Sequence, residues 1–366
     1  MGKVALVTGA SGIQGRATVK KLEASNEWSK VIAVSRSPLE FESKAQRISL
    51  DLNDKGTIKS TFEGEKIRDV THVFHLAFAG DTTNTSRTVA AWLSNLVEEL
   101  ESAGNPLEYV FFASGNKYYG VHLAQLPGEP KTPFRETDPR HFPPNFYYDM
   151  EDYAIERKHK GAKWNWNTYR PGPIIGYSLG FMNWLMEFAV YGTICKEKNL
   201  PMRYPGTPQG YRVLFDCADA ELLADVQIWL SKHPHAQNTA YNVNNGDVFR
   251  FEQLWPKLAD WFGLGVAPPL HIPLTQFMPH HKELWASIVK KYNLKDIQFE
   301  KLVRWEFAEA TLNAPSDEFG DATKLRKAGF EGQKMYTEEV FHRWFNELAK
   351  MKIIPDYPAM QKSGSK

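Results

Sequence analysis

Tyr147 is the residue of this chain best suited to acid chemistry, and its terms are set by Glu151 four positions on. The run reads Asn145-Phe146-Tyr147-Tyr148-Asp149-Met150-Glu151-Asp152. In a Tyr-x-x-x-Lys arrangement a lysine sits one helical turn past the phenol. The phenol protonates a carbonyl oxygen, while the ammonium lowers its pKa and holds a ribose. Here the phenol survives and that lysine is gone. A replacement stands upstream in Ser114-Gly115-Asn116-Lys117-Tyr118-Tyr119-Gly120. If Lys117 does the work from the end of a neighbouring strand, the chemistry is still hydride transfer, on an altered substrate class.

Such chemistry needs a nicotinamide site, and the N-terminal residues supply its pattern. Lys3 to Val7 is a short apolar, β-branched run of the kind that forms a buried parallel strand. It leads into Thr8-Gly9-Ala10-Ser11-Gly12-Ile13-Gln14-Gly15 and a helical stretch from Arg16 to Ala24. Gly9 permits a tight turn, Gly12 lets the backbone approach a pyrophosphate, and Gly15 lets helix sit on strand. The helix start offers free amides to phosphates. The strand Val31 to Val34 ends in Ser35-Arg36-Ser37, where an NAD site carries an acidic residue for the ribose. The planar fork of Arg36 suits an extra phosphate instead, which favours NADP(H).

A third strand is expected to end in Ile48 to Leu52, which puts Asp51 beside an adenine, and a fourth, at His72 to Ala77, ends in small residues. Others follow at Tyr109 to Ala113, running straight into the Lys117 segment, and at Trp164 to Tyr169. Strands alternating with helical stretches predict an α/β fold, a Rossmann-type doubly wound parallel sheet with ligands at the carboxyl ends of its strands. Past Arg170-Pro171-Gly172-Pro173-Ile174-Ile175-Gly176 the chain becomes helical, and a smaller, mostly helical C-terminal substrate lobe is expected. Residues 1–176 form the NADP-binding domain, with returning segments at about 210–250, and residues 177–366 are mostly the substrate-binding lobe. The two are read as one intertwined unit. The aromatic and Met-rich stretch 181–189, including Phe181 and Met182, is more often plain core than pocket, yet its place makes it a candidate wall of an apolar cleft. Tyr241 to Gly246 is read as a strand and turn, and helices are expected over 251–262, 282–292, 299–312, 323–328 and 337–350. Trp285, Trp305, Phe307, Trp344 and Phe345 are expected to pack this lobe.

Composition narrows the function classes. The 366 residues carry 44 basic and 43 acidic side chains, a net charge of +1 that gives no electrostatic case for nucleic acid or an anionic membrane as partner. No apolar run approaches the roughly twenty residues of a membrane span, and no signal peptide is recognised. Two cysteines are too few for a disulfide framework, so a cytoplasmic, reducing setting is expected. His233, His235, His280 and His281 lie in Pro-containing loops without metal-ligand spacing, so no metal is expected. The Gly-x-Ser-x-Gly elbow of serine hydrolases is also missing.

Together the glycine loop, the Ser114 to Gly120 segment and Arg170-Pro171-Gly172 resemble the extended short-chain dehydrogenases/reductases. Within them the chain is most similar to the progesterone 5β-reductase/iridoid synthase group. The matching stretches include Gly115 to Gly120, Asn145 to Asp152, Tyr169 to Gly176, Ile194-Cys195-Lys196, Asp216 to Ala220 and Asn242 to Phe249. The resemblance spans nearly the whole chain. It implies Tyr147 as the catalytic tyrosine and Lys117 as its displaced lysine. It implies cofactor contacts at Gly9, Ser11, Gly12, Ile13, Gly15, Ser35, Arg36, Asp51, Leu52, Ala77, Ala113, Tyr147, Pro171 and Ile174. Phe78, Tyr148, Phe181 and Met182 are the substrate-side candidates. It further implies NADPH-dependent reduction of a small apolar enone or enal, hydride adding to the β-carbon while Tyr147 stabilises the enolate oxygen. A homodimer is the group's habit.

The chain departs from the group at several positions. Ser37 stands where a second arginine is common, Phe78 where a tryptophan is, and Val121 to Leu126 breaks the group's aromatic pattern. The usual serine of extended members falls at Gly115, so the Ser-Tyr-Lys ketone machinery is incomplete. Two other readings stay open: a ketone or aldehyde reductase on the same scaffold, and a non-redox cyclase, isomerase or dinucleotide sensor. Consumption of NADPH, and loss of C=C against loss of C=O, separate them.

Overall fold

The computed structural model describes residues 2–78, 86–121, 131–141, 144–180 and 182–357. The chain divides into two compact units: residues 1–171 with 220–243 and 320–333, and residues 172–219 with 244–319 and 334–366.

Six strands of the first unit are β1 (Lys3–Thr8), β2 (Trp28–Val34), β3 (Gln46–Ile48), β4 (His72–His75), β5 (Tyr109–Ala113) and β6 (Asn165–Tyr169), and a seventh is Thr239–Tyr241. They form one sheet in the order seventh, β6, β5, β4, β1, β2, β3, every neighbouring pair parallel. The order reverses at β1, so a crevice opens at the carboxyl ends of β1 and β4. Registers bring Thr8, Val34, His75 and Phe112 level, and Ala113 level with Tyr169. The doubly wound parallel sheet expected from strand spacing is therefore what the chain forms.

Alternation along the strands sends two sets of side chains to two faces. Val4, Leu6, Ile32, Val34, Val73, Val110, Phe112 and Trp166 build one buried cluster with residues of α2 (Lys55–Gly64), α3 (Ser86–Ser102) and α4 (Phe146–His159). On the other face α1 (Ile13–Glu23) packs along α6 (Ala220–Lys232). A closed polar network joins those helices to β6. Tyr169 donates to Gln14 Oε1, Gln227 Nε2 donates to Tyr169 Oη at 2.6 Å, and Thr18 Oγ1 donates to Gln227 Oε1 at 2.8 Å. Every member is satisfied, which is the condition under which a buried network rigidifies a core.

In the second unit α5 (Trp184–Glu197) is buried continuously from Trp184 to Cys195. A helix apolar all round belongs inside a lobe rather than on its surface. This corrects the expectation of a cleft wall at residues 184–189: they are core, packed with Phe251, Trp255 and Phe341. Phe181, the other part of that expectation, lies outside the described residues. Trp285, Trp305, Trp344 and Phe345 are buried in the same core and Phe307 packs against it, as the sequence pattern predicts.

Three expected boundaries move. The helix expected over 299–312 breaks into Phe299–Leu302 and Glu306–Thr311, because Val303 is extended and bridges Gly180. The third strand covers only Gln46–Ile48. The last strand ends at Tyr241, since the Asn242 amide leaves the ladder to donate to a Glu136 carboxylate oxygen at 2.7 Å. Among the described residues no helix is long and apolar enough to cross a membrane, and no group of three or more His, Cys, Asp or Glu could hold a metal ion.

Candidate active site

The glycine loop joins β1 to α1, and its shape excludes side chains. Gly9 has φ +66°, and a Cβ there would lie 2.6 Å from Leu76 O. A Cβ on Gly15 would lie 2.1 Å from Gly9 O and 2.7 Å from Ala10 Cα, both backbone. Only glycine allows either approach. Gly12 caps α1 without a side-chain hydrogen bond, so the first amides of the helix are left for another acceptor. Thr8 braces this corner. Its hydroxyl accepts from the Leu76 and Ala77 amides at 3.2 and 3.3 Å and meets His75 Nδ1 at 3.0 Å. With two amides donating to it, the hydroxyl's own hydrogen goes to the ring, so the end of β4 is held over the loop.

Arg36 follows β2 on an exposed loop and makes no hydrogen bond or ion pair among the described residues. Its guanidinium, two residues past the end of the strand, carries the planar donor fork that suits a phosphate. Ser35 is buried and its hydroxyl donates to Ser37 O at 2.7 Å, so its side chain shapes the loop. Asp51 is exposed, and one of its oxygens accepts from Asn53 N and Asn53 Nδ2 at 3.0 and 2.7 Å. The Leu52 side chain is core, which leaves its backbone for any ligand contact. Ala77 and Ala113 are half-buried at the ends of their strands, and Phe78 is exposed beside Phe146, ring centroids 5.8 Å apart. Glycine cradle, uncapped helix start and available arginine fit a dinucleotide carrying an extra phosphate.

Tyr147 sits in the first turn of α4. Asn145 caps that helix by accepting from Tyr147 N at 3.1 Å, and its Nδ2 donates to Lys117 O at 2.8 Å. One asparagine thus ties the helix bearing the phenol to the turn bearing the lysine. A Cβ built on Gly115 would lie 3.5 Å from Tyr147 Oη and 3.4 Å from Pro171 O. The phenol therefore lies against a bare glycine Cα, where a serine would offer it a hydroxyl. Burial pushes the Tyr147 phenol up from its ordinary value and the Lys117 ammonium down. No hydrogen bond joins the two among the described residues. At neutral pH the phenol stays protonated and is a hydrogen-bond donor.

Tyr148 is engaged elsewhere: its Oη donates to Tyr118 O at 2.6 Å and accepts from His141 N at 2.8 Å. The structure thus gives this substrate-side candidate a structural occupation. Ile174 pairs with Ala218, and Met182 is half-buried with φ +57°; both belong to the second unit. Sequence reasoning missed Glu151's partner. Arg170, only 2% exposed at its side chain, donates to Glu151 Oε1 and Oε2 at 3.1 and 3.3 Å, and Arg140 approaches Glu151 Oε2 at 3.5 Å. Nor did it single out Asn145, although a cap residue directly before a helical run is a readable signal.

A family model for the PRISE-like Rossmann-fold domain matches residues 5–355. The chain belongs to the PRISE-like Rossmann-fold family. An (S)-8-oxocitronellyl enol synthase of Camptotheca acuminata is 32% identical over 96% of this chain and 93% of its own length. A 3-oxo-Delta(4,5)-steroid 5-beta-reductase of Arabidopsis thaliana is 29% identical over 96% of this chain and 93% of its own. Among solved structures, GDP-mannoheptose C4 reductase from Campylobacter jejuni with NADP bound superposes with a TM-score of 0.61 at 14% identity, covering 94% of this chain and 98% of that one. At that identity the likeness speaks for the fold alone.

Proposed function

We propose that this protein is an NADPH-dependent reductase of α,β-unsaturated carbonyl compounds. The observation that carries the reading is a protonated, buried phenol, Tyr147, set against Gly115 rather than beside a serine, with Lys117 on a separate turn. The names of the two relatives, an enol synthase and a steroid 5-beta-reductase, support chemistry on a conjugated carbonyl. The first unit is assigned to the dinucleotide and the second to shaping the substrate side. Cys195 and Cys217, both buried and free, suit a reducing compartment such as the cytosol.

The amides at the start of α1 hold the pyrophosphate, and Arg36 takes the 2′-phosphate. When bound, the cofactor supplies the hydride that adds to the β-carbon. Tyr147 donates its hydrogen bond to the carbonyl oxygen, where enolate charge accumulates, and burial strengthens that contact by excluding water. A proton from solvent then adds at the α-carbon, neutralises the enolate and completes the saturated carbonyl. A ketone reductase would instead transfer the phenolic proton fully to the carbonyl oxygen.

The test follows NADPH oxidation against a panel of enones, enals and ketones, with products identified by mass and NMR. Loss of the C=C bond with the carbonyl intact is expected. Loss of C=O alone would move the reading to carbonyl reduction, and absence of any turnover with NADPH would overturn it.

A further inference from the structure

We propose that Glu151 and Arg170 are positioning residues that set Lys117 relative to Tyr147, an inference that rests on the reading just given. In Tyr-x-x-x-Lys both groups stand on one helix, and their separation is fixed by helical geometry. Here the phenol is on α4 and the ammonium on the 3-10 turn Asn116–Tyr119. Their separation must come from tertiary contacts, and one buried ion pair, Glu151 with Arg170, makes several of them.

The turn holds itself weakly, with Tyr118 N donating to Gly115 O and Gly120 N to Lys117 O at 2.9 and 3.1 Å. Arg170 grips the two residues after Lys117. Its guanidinium carbon stacks 3.3 Å from the Tyr118 ring centroid, and Nη1 donates to Tyr119 Oη at 3.3 Å. The Tyr119 hydroxyl passes the restraint on to Asn242 Oδ1 at 2.5 Å. Glu151, one turn after Tyr147 on α4, binds that guanidinium through both oxygens. The acidic residue at the lysine's register thus links the phenol's helix to the lysine's turn through Arg170. Asn145 and Tyr148, also on or capping α4, hold the carbonyls of Lys117 and Tyr118 from the same side.

A buried pair is weak evidence for stability, because replacing both members by apolar residues is often neutral, whereas removing one strands a charge. That asymmetry separates positioning from mere folding. Glu151→Gln should lower kcat on a cyclic enone about tenfold to a hundredfold, as misplacement of a catalytic group does, with NADPH affinity changed less. In a Lys117→Met background the same change should cost little further, since its target is gone. The double variant Glu151→Met, Arg170→Met should regain the melting temperature lost in Glu151→Gln while kcat stays low. Equal losses from Glu151→Gln in both backgrounds would overturn the proposal, as would a double variant that regains both stability and turnover. Wild-type turnover in Lys117→Met alone would sink the underlying reading, and that arm is scored separately from the two others.

Discussion

The two halves of the candidate site are held in different ways. The glycine loop between β1 and α1 is fixed by what is missing: no Cβ fits at Gly9 or Gly15, and no side chain caps the helix. The phenol half, around Gly115, Lys117, Tyr147 and Glu151, is fixed by side chains that reach across elements far apart in sequence. A backbone-built site tolerates almost no added atom at its contact glycines. A side-chain-built site tolerates substitution at its edges but loses geometry when one link goes.

The largest expected effect is on the backbone half. Gly15→Ala places a methyl 2.1 Å from Gly9 O, backbone that cannot swing aside. Overpacking of this kind costs about 1–3 kcal/mol. NADPH affinity should fall by about fivefold to 150-fold in a fluorescence titration; unchanged affinity would break the contrast between the halves.

Next comes the paired carboxylate against an unpaired one. Glu151 has Arg170, whereas among the described residues Glu187 in α5 accepts only from Ala308 N, at 3.0 Å, and its other oxygen is buried without a partner. Burial pushes the Glu187 carboxyl up to about 8. The folded state therefore keeps a proton that the unfolded chain loses above pH 4.5. Its contribution is fully present below that pH and is lost as pH rises to about 8, by up to about 1.4 kcal/mol per pH unit. Glu187→Gln cannot ionise, so its melting temperature should gain on the native protein as pH rises through that window and run parallel above it. Parallel melting curves from pH 5 to 9 would contradict this.

The smallest effect sharpens the cofactor assignment. One charge-assisted phosphate contact contributes roughly 1.5–3 kcal/mol, and the lower part applies because Ser37 brings no second arginine. Arg36→Ala should cut the preference for NADPH over NADH about tenfold, read as the ratio of dissociation constants at low salt. A preference retained in full would move the phosphate contact elsewhere.

What the sequence disclosed follows the same division. Glycine spacing was readable because close backbone approach admits one residue type, and the strands were readable from apolar runs between turn residues. Lys117 stands out because the lysine expected after Tyr147 is absent and another stands past a strand end. Glu151 was legible only as that absence. Its partner lies 19 residues on, in Arg170-Pro171-Gly172, which reads as a crossing loop until the sheet brings β6 beside β5. The break at Val303 was hidden likewise, since helical periodicity runs through it and only the bridge to Gly180 stops the helix. Long-range side-chain pairing leaves no local signature.

The central claim is that Tyr147 stabilises the developing oxyanion while the cofactor is held elsewhere. Its most direct test is kcat and NADPH affinity for Tyr147→Phe, with Tyr148→Phe as the control. The expected result is a loss of turnover on the order of a hundredfold with NADPH affinity nearly unchanged, and a much smaller loss of turnover in the control. Wild-type turnover in Tyr147→Phe together with an inactive Tyr148→Phe would contradict the account and move the working phenol by one residue.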